Sequence, residues 1–366
     1  MSVSLDLLSC GAVTPIGLNA LQSAAAFRAR IAGFEKAIPL EPPRESLVAA
    51  LIPTQAALRR TPAIWLANLA VRAIRESLAY QSLSERMAII VALPERVREH
   101  PALAGRERIE LLHTIVSAVG HRFSHELLSE EGGAGIASGL QLARQLMLKG
   151  TADVCLVGGV DSLVNRNDIA KLRIAGRIHE PSNSKGIIPG EGAGFLLVSL
   201  ADRFPNALAR LYGVAVSSES EDVLGPRFSQ GRGFHTALQL AMEDSAMSES
   251  IVSFRVSNVN GELYSIWEAM FFATRFYRTR REQLPVWYTA SSVGEIGAAS
   301  GAVGIILAAL GIAGGYAPGP YAMCENASEA GLRGACLVGP NPRLQAPPFR
   351  PEEGASEHIL GLLSYQ

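Results

Sequence analysis

Residues 296–317 carry no charged side chain and are mostly glycine and alanine, and this run constrains the fold more than any other segment. It is long enough to span a bilayer, but its small side chains make it only modestly hydrophobic. The expected structure is a buried helix whose neighbours approach closely over glycine and alanine. No membrane span is expected.

Strand-like and helix-like patterns alternate around it, which implies an α/β fold with sheets covered on both faces. A strand over Ser4–Leu8 runs into a turn, Gly11-Ala-Val-Thr-Pro-Ile-Gly17. Residues 62–80 read as an amphipathic helix, Met87–Ala92 as a buried strand, 140–148 as a helix, and 154–157 and 194–199 as strands. The second half repeats the scheme: helix 234–246, strand 253–258, helix 265–280, strand 285–290, the apolar helix from 295, and closing strands near 319–324 and 334–338. Beyond Val338, Pro340, Pro342, Pro347, Pro348 and Pro351 favour extended backbone before the apolar end, Ile359-Leu-Gly-Leu-Leu-Ser-Tyr-Gln366. That tail either straps the body of its own domain or reaches to a partner.

The chain's 366 residues suggest about two domains. Apolar residues at 48% and charged ones at 18% describe a core-rich globular protein. A net charge of −1 advertises neither nucleic acid nor an anionic membrane as partner. Cys10, Cys155, Cys324 and Cys336 lie far apart with no Cys-x-x-Cys pair, which points to a reducing, cytoplasmic setting rather than a disulfide framework or zinc site. Met1–Leu8 has no basic region ahead of a long apolar stretch, so no signal peptide is expected.

Four segments carry glycine-punctuated signatures: Thr151-Ala-Asp-Val-Cys-Leu-Val-Gly-Gly-Val-Asp161, Pro189-Gly-Glu-Gly-Ala-Gly-Phe-Leu-Leu197, Asn258-Val-Asn-Gly261, and Gly294-Glu-Ile-Gly-Ala-Ala-Ser-Gly-Ala-Val303. In order and spacing they resemble the β-ketoacyl synthase branch of the thiolase-like superfamily, over residues 1–338. The resemblance implies duplicated βαβαββ halves, 1–200 and 201–338, stacked in five α-β-α-β-α layers, with 339–366 as a proline-rich tail. It also implies a dimer whose interface strand is about Ala152–Val157.

Such enzymes hold an acyl chain on a cysteine thiolate at a helix N-terminus and use two histidines as donors. Here the family's cysteine position falls on Gly133 or, in a second register, on Ile136. The histidine positions read Asn260 and Glu295, the family's lysine reads Ala290, and its Gly-Phe-Gly-Gly loop maps to about Ser328–Gly331. Ser129 and Ser138 are nearby hydroxyls, with no histidine placed to activate them. Ser292 and Glu295 have capping-box spacing at the start of the apolar helix; the alternative for Glu295 is a general base in a repurposed pocket.

Gly158-Gly159 is read as a strand end, and Gly190, Gly192 and Gly194 as points of close backbone approach. His121 and His125 share a helical face and are read as solvated surface, so no metal site and no cofactor are expected. Arg275, Arg278, Arg280 and Arg281 gather at a helix C-terminus, which the dipole favours; the functional reading is docking of an acidic partner such as an acyl carrier protein.

The resemblance therefore implies a catalytically inactive ketosynthase-like protein in a binding or scaffold role. It is similar to chain-length-factor partners of active ketosynthases, forming a homodimer or a heterodimer with a ketosynthase-like chain. Through Gly159–Arg166 and Ile188–Glu191 it is also similar to short thiolase-like proteins found beside type VI secretion effectors, where it would hold or load an effector protein. The competing class is an acyltransferase or acyl hydrolase using the altered pocket.

Overall fold

The structure, a computed structural model, describes residues 3–37, 47–53, 61–79, 86–100, 103 and 105–343. The first half of the chain runs β1 (Leu5–Val13), α1 (Ala20–Arg28), a ribbon of β2 (Phe34–Ala37) and β3 (Leu47–Ala50), α2 (Pro62–Leu78) and β4 (Met87–Ala92). It continues through α3 (Glu107–Val119), β5 (His125–Ser129), α4 (Gly135–Leu148), β6 (Val154–Ser162), α5 (Arg166–Ile174) and β7 (Glu191–Leu200). The second half runs β8 (Ala209–Ser218), α6 (Arg232–Ser245), β9 (Phe254–Ser257), α7 (Leu263–Phe276), β10 (Val286–Tyr288), α8 (Ser300–Ala313), β11 (Ala322–Ala327) and β12 (Leu332–Gly339).

The strand order, β10-β9-β11-β12-β8-β1-β7-β6-β4-β5, is a palindrome of two five-strand halves. Moving outward from the centre, each half places its first strand, then its fifth, fourth, second and third. The pairing senses also match: β4–β6 and β4–β5 are parallel, as are β9–β11 and β9–β10. Strands β1 and β8 join the halves only through Leu5–Leu7 against Ala209–Leu211. Leaving aside α1, α5 and the β2–β3 ribbon of the first, each half reads β-α-β-α-β-α-β-β, one strand–helix step longer than the repeat the resemblance implied; β5 and β8 are strands not among those expected. His125 and Glu126 make β5 half polar, and it lies at the edge of the sheet, paired only to β4.

Side-chain alternation sets the layers. In β4, Ala88 and Ile90 point into the central cluster, while Met87, Ile89 and Val91 point into the outer one. Strands apolar on both faces have to be covered on both. Helices α4 and α8 fill the central layer, with Ile136, Leu140, Ile305 and Ile306 between the sheets. The outer layer of the first half is α2 and α3, through Trp65, Leu69, Leu111 and Ile115. That of the second half is α6 and α7, through Phe234, Leu238, Phe272 and Phe276. Each such side chain taken fully from water contributes about 1.5–3 kcal/mol. This is the five-layered, thiolase-like arrangement.

The uncharged run becomes α8, buried along nearly its whole length. Its small residues let β7 approach: a side chain at Gly194 would stand 3.1 Å from Ala302 and Val303. Among the described residues no helix is long and apolar enough to cross a membrane.

Several sequence expectations are corrected. The opening strand extends to Val13, so only the end of the Gly11–Gly17 segment turns. Gly158 and Gly159 lie in the middle of β6, where a side chain on Gly159 would overlap the Ala298 carbonyl. Strand β6 is paired on both sides, to β4 and β7, so Ala152–Val157 has no free edge for an interface. The edge strands of the sheet are β5, in the first half, and β10, in the second. His121 and His125 do not share a helix: α3 ends at Val119 and His125 opens β5. The tail from residue 344 lies outside the described residues; before it, Asn341 donates to the Ala207 carbonyl at 3.1 Å and Arg343 pairs with Asp202 at 3.0 Å.

Candidate functional site

The two central helices point their N-termini at one another, each behind a short turn of 3-10 helix, Gly132–Ala134 and Gly297–Ala299. This contact requires bare backbone. A side chain at Gly301 would run into the Gly133 carbonyl and Ile136. Ser328, in the β11–β12 turn, ties the second half to α4: its Oγ accepts from the Ala134 amide at 2.9 Å and donates to the Glu131 carbonyl. A cavity of about 70 Å³ opens where these elements converge.

Gly133, Asn260 and Glu295, far apart in sequence, all line this cavity. A side chain on Gly133 would project toward the Gly297 and Ala327 carbonyls and the Asn258 amide, at 3.1–3.3 Å. Ile136, the second register, instead packs into the central core at 1% exposure. Ala290 does not reach the cavity; it opens the helical turn Ala290–Val293 and lines a separate outer groove.

The capping box at Ser292–Glu295 does not form. Gly294 takes φ +68°, which separates the turn holding Ser292 from α8. Glu295 instead turns forward: Oε1 accepts from the Gly297 amide at 2.9 Å and Oε2 from Asn260 Nδ2 at 2.8 Å. Asn260 is fixed from behind, its Oδ1 accepting from the Glu262 amide and Ser265 Oγ at 3.2 and 3.1 Å. Burial pushes the Glu295 carboxyl up to about 7, against the lowering effect of its two donors, and nearby Glu329 and Glu262 add to the rise.

Charged residues that the sequence reading passed over surround this pair. Arg98 bridges Asp161 at 2.5 Å and Asp168 at 2.8 Å. Asp161 also accepts from the Ala298 amide at 2.9 Å, so a carboxylate already sits on the α8 turn. Arg177 spans Glu262 at 2.7 Å and Glu329 at 2.8 Å. Arg333, 1% exposed, holds Glu268 at 3.0 Å and donates to Tyr264 Oη at 3.0 Å. Glu95 accepts from the Glu329 and Ala330 amides at 2.7 and 2.8 Å, and burial pushes its carboxyl up to about 7. These pairs join residues from 63 to 235 positions apart, beyond any sequence-spacing rule.

Among the described residues no cysteine or histidine lines the cavity. Cys155, Cys324 and Cys336 are buried in the core, where desolvation raises their thiols, that of Cys155 to about 12. Half-buried Cys10 is likewise raised to about 12, by desolvation and then by Glu76. Such thiols are poor nucleophiles. Ser129 Oγ donates to the exposed Glu131 carboxylate at 3.3 Å and does not line the cavity. The arrangement can exchange a proton near neutral pH through Glu295 and can donate one amide hydrogen bond through Asn260.

The arginine cluster stands apart from the cavity. Glu262, Tyr264 and Glu268, from the start to the middle of α7, line the cavity, whereas Arg275 is in its last turn, roughly 10–20 Å further along the helix. Arg281 pairs with Glu249 at 2.5 Å, Arg275 donates to the Gln230 carbonyl at 2.7 Å, and Arg278 and Arg280 are exposed.

Residues 134–203 match the N-terminal domain of β-ketoacyl synthases. No curated protein matches the chain in sequence. Among solved structures, the ishigamide ketosynthase/chain length factor is 16% identical with a TM-score of 0.76, covering 93% of this chain and 100% of that one. The ketosynthase ApeO in complex with its chain length factor ApeC, from Xenorhabdus doucetiae, is 15% identical with a TM-score of 0.74, covering 92% and 98%. A β-ketoacyl synthase from Burkholderia phymatum is 16% identical with a TM-score of 0.72, covering 93% and 100%. The chain thus has the thiolase-like fold of the ketosynthases.

Proposed function

We propose that the chain is a non-condensing ketosynthase-like subunit that works by binding a partner chain. The observation that carries this reading is the composition of the cavity: glycine, an asparagine amide and carboxylates occupy the meeting point of the two central helices. Decarboxylative condensation builds an enolate and then an oxyanion. A carboxylate at Glu295 opposes both, and each missing donor typically costs about 10²–10³ in rate. The absence of an activated thiol from the cavity lining removes the acyl-holding step as well.

Support for a partner comes from two directions. Two of the similar structures contain a ketosynthase with its chain length factor. The open edge of β5 offers unpaired backbone, on which a second ketosynthase-like chain, identical or different, can continue the sheet. A carrier protein is a further candidate, on the exposed arginines at the end of α7 and the acyl-carrier-protein complex among the similar structures; a type VI secretion effector rests on the motif resemblance alone. Four free cysteines favour a cytoplasmic setting. Purifying the tagged full-length chain from its host and identifying the stoichiometric co-eluting subunit tests the proposal. A ketosynthase-like subunit or a second copy is expected; a monomer that turns over thioesters contradicts it.

Glu295 alone favours a second reading, hydrolysis of an acyl substrate with this carboxylate drawing a proton from water, since a base poised near pH 7 suits that role. Under that reading thioester hydrolysis is measurable and collapses in Glu295→Ala.

A further inference from the structure

The outward face of α7 is apolar. Leu263, Ile266, Trp267, Met270 and Phe271 recur at three- and four-residue spacing and are 37–56% exposed, while Glu268, Phe272 and Phe276 on the opposite side are buried. A surface helix ordinarily shows the reverse on its solvent side. A contiguous exposed stripe of this kind marks an interaction surface. Beside it runs a groove of about 660 Å³, floored by Ile266 and Met270 and walled by Tyr288 of β10 and Phe34 of β2. At the C-terminal end of the stripe, Arg275, Arg278 and Arg280 are exposed, and none forms an ion pair among the described residues.

The chain itself contains a matching segment. Residues 351–366 carry Glu352, Glu353 and Glu357 ahead of Ile359, Leu360, Leu362 and Leu363. The exit point of the chain favours it further. Val338 pairs with Ala322, which pairs with Phe254 at the start of β9. The chain therefore leaves β12 at the end of the sheet where β9 begins. Helix α7 returns from the end of β9 to the start of β10, so it finishes at that same end, bringing its arginines with it. At Arg343, which pairs with Asp202 beside β8 and β1, the lateral offset to β9 and β10 is three to five strand spacings, roughly 14–24 Å. The eight positions from Arg343 to Pro351 supply up to roughly 27 Å of chain.

We propose that residues 351–366 dock on the α7 face of their own chain. The order of chemistry matches along the path. The glutamates come first, where the arginines are; the apolar residues follow, where the stripe and groove lie. A second copy of α7 fits less well, because the carboxylates at the far end of the stripe are engaged, Glu262 by Arg177 and Glu221 by Arg227. The groove borders the cavity, sharing Val259 and Asn260 with it, and is remote from the β5 edge; the strap is argued from α7 and the tail, so it does not rest on the function proposed above.

The test uses the full-length protein with a photo-crosslinking amino acid in place of exposed Met270, and maps the crosslinked peptide by mass spectrometry. The expected product joins α7 to residues 351–366 within one chain. Arg278→Glu with Arg280→Glu lowers its yield about tenfold, since two attractive pairs become repulsive. Adding Glu352→Lys and Glu353→Lys to that variant restores the yield. Crosslinks between chains, crosslinks to another segment, no crosslink, or a yield indifferent to both charge reversals each overturns the proposal. Thermal unfolding of each variant confirms that the fold is intact.

Discussion

Replacing Glu295 with glutamine tests the cavity electrostatics through the pH dependence of stability. The carboxyl is raised from its ordinary 4.5 to about 7 in the folded protein, chiefly by burial. The folded state therefore holds a proton that the unfolded chain has released between these values. Stability supplied by this group is full below about pH 4.5 and is lost as pH rises through 7. A shift of this size corresponds to about 3 kcal/mol, and water in the cavity screens it to about 2–3 kcal/mol. Glutamine carries no such penalty. It keeps an acceptor for the Gly297 amide but presents an amine to Asn260, a cost of about 1 kcal/mol that does not vary with pH.

Urea unfolding of both proteins from pH 5 to 8.5, followed by circular dichroism, reads the difference directly. Glu295→Gln gains about 2–3 kcal/mol relative to the parent between pH 5 and 8, with most of the change between pH 5.5 and 7.5. His100 is held below its ordinary value by burial, so it contributes the opposite slope over part of this range. Because it is present in both proteins, it cancels in the comparison. A stability difference that stays constant from pH 5 to 8.5 refutes the reasoning.

Three further outcomes follow from the same geometry. Glu268→Ala leaves Arg333 buried without its carboxylate and costs about 3–5 kcal/mol, read from the urea midpoint. Gly297→Ala places a side chain at φ +48° against the Asp161 carboxylate, and destabilises by about 3 kcal/mol or more, visible as a lower melting temperature. In iodoacetamide at pH 7.5 the native protein leaves Cys155, Cys324 and Cys336 unmodified over hours, whereas protein in urea takes up label at these cysteines, as intact mass will report.

What the sequence disclosed was the architecture around its glycines. Gly194 and Gly301 stand at close contacts, as expected of Gly190–Gly194 and of the uncharged helix, whereas Gly159, expected at a strand end, lies mid-strand against the Ala298 carbonyl. The convergence of Gly133, Asn260 and Glu295 on one cavity likewise agrees with the motif alignment. Elements without such marks escaped. Strand β5 is half polar because one of its edges is free, and β8 carries its apolar residues interrupted by Arg210 and Gly213. The capping box failed because a local spacing rule cannot see Gly294 swing to positive φ and cut the helix short. The charged shell was invisible for a related reason: Arg98 meets Asp161, and Arg333 meets Glu268, only after strands and helices far apart in sequence have packed within each half. Arg333 even lies within an otherwise apolar strand, where it reads as an interruption rather than as the centre of a network.

The central claim is that this ketosynthase fold holds no acyl chain. Incubating the full-length protein with malonyl and acyl thioesters, free and carrier-bound, and recording its intact mass is the direct measurement. The account predicts an unchanged mass and no carbon dioxide release from the malonyl donor; a stable acyl adduct on any side chain contradicts it.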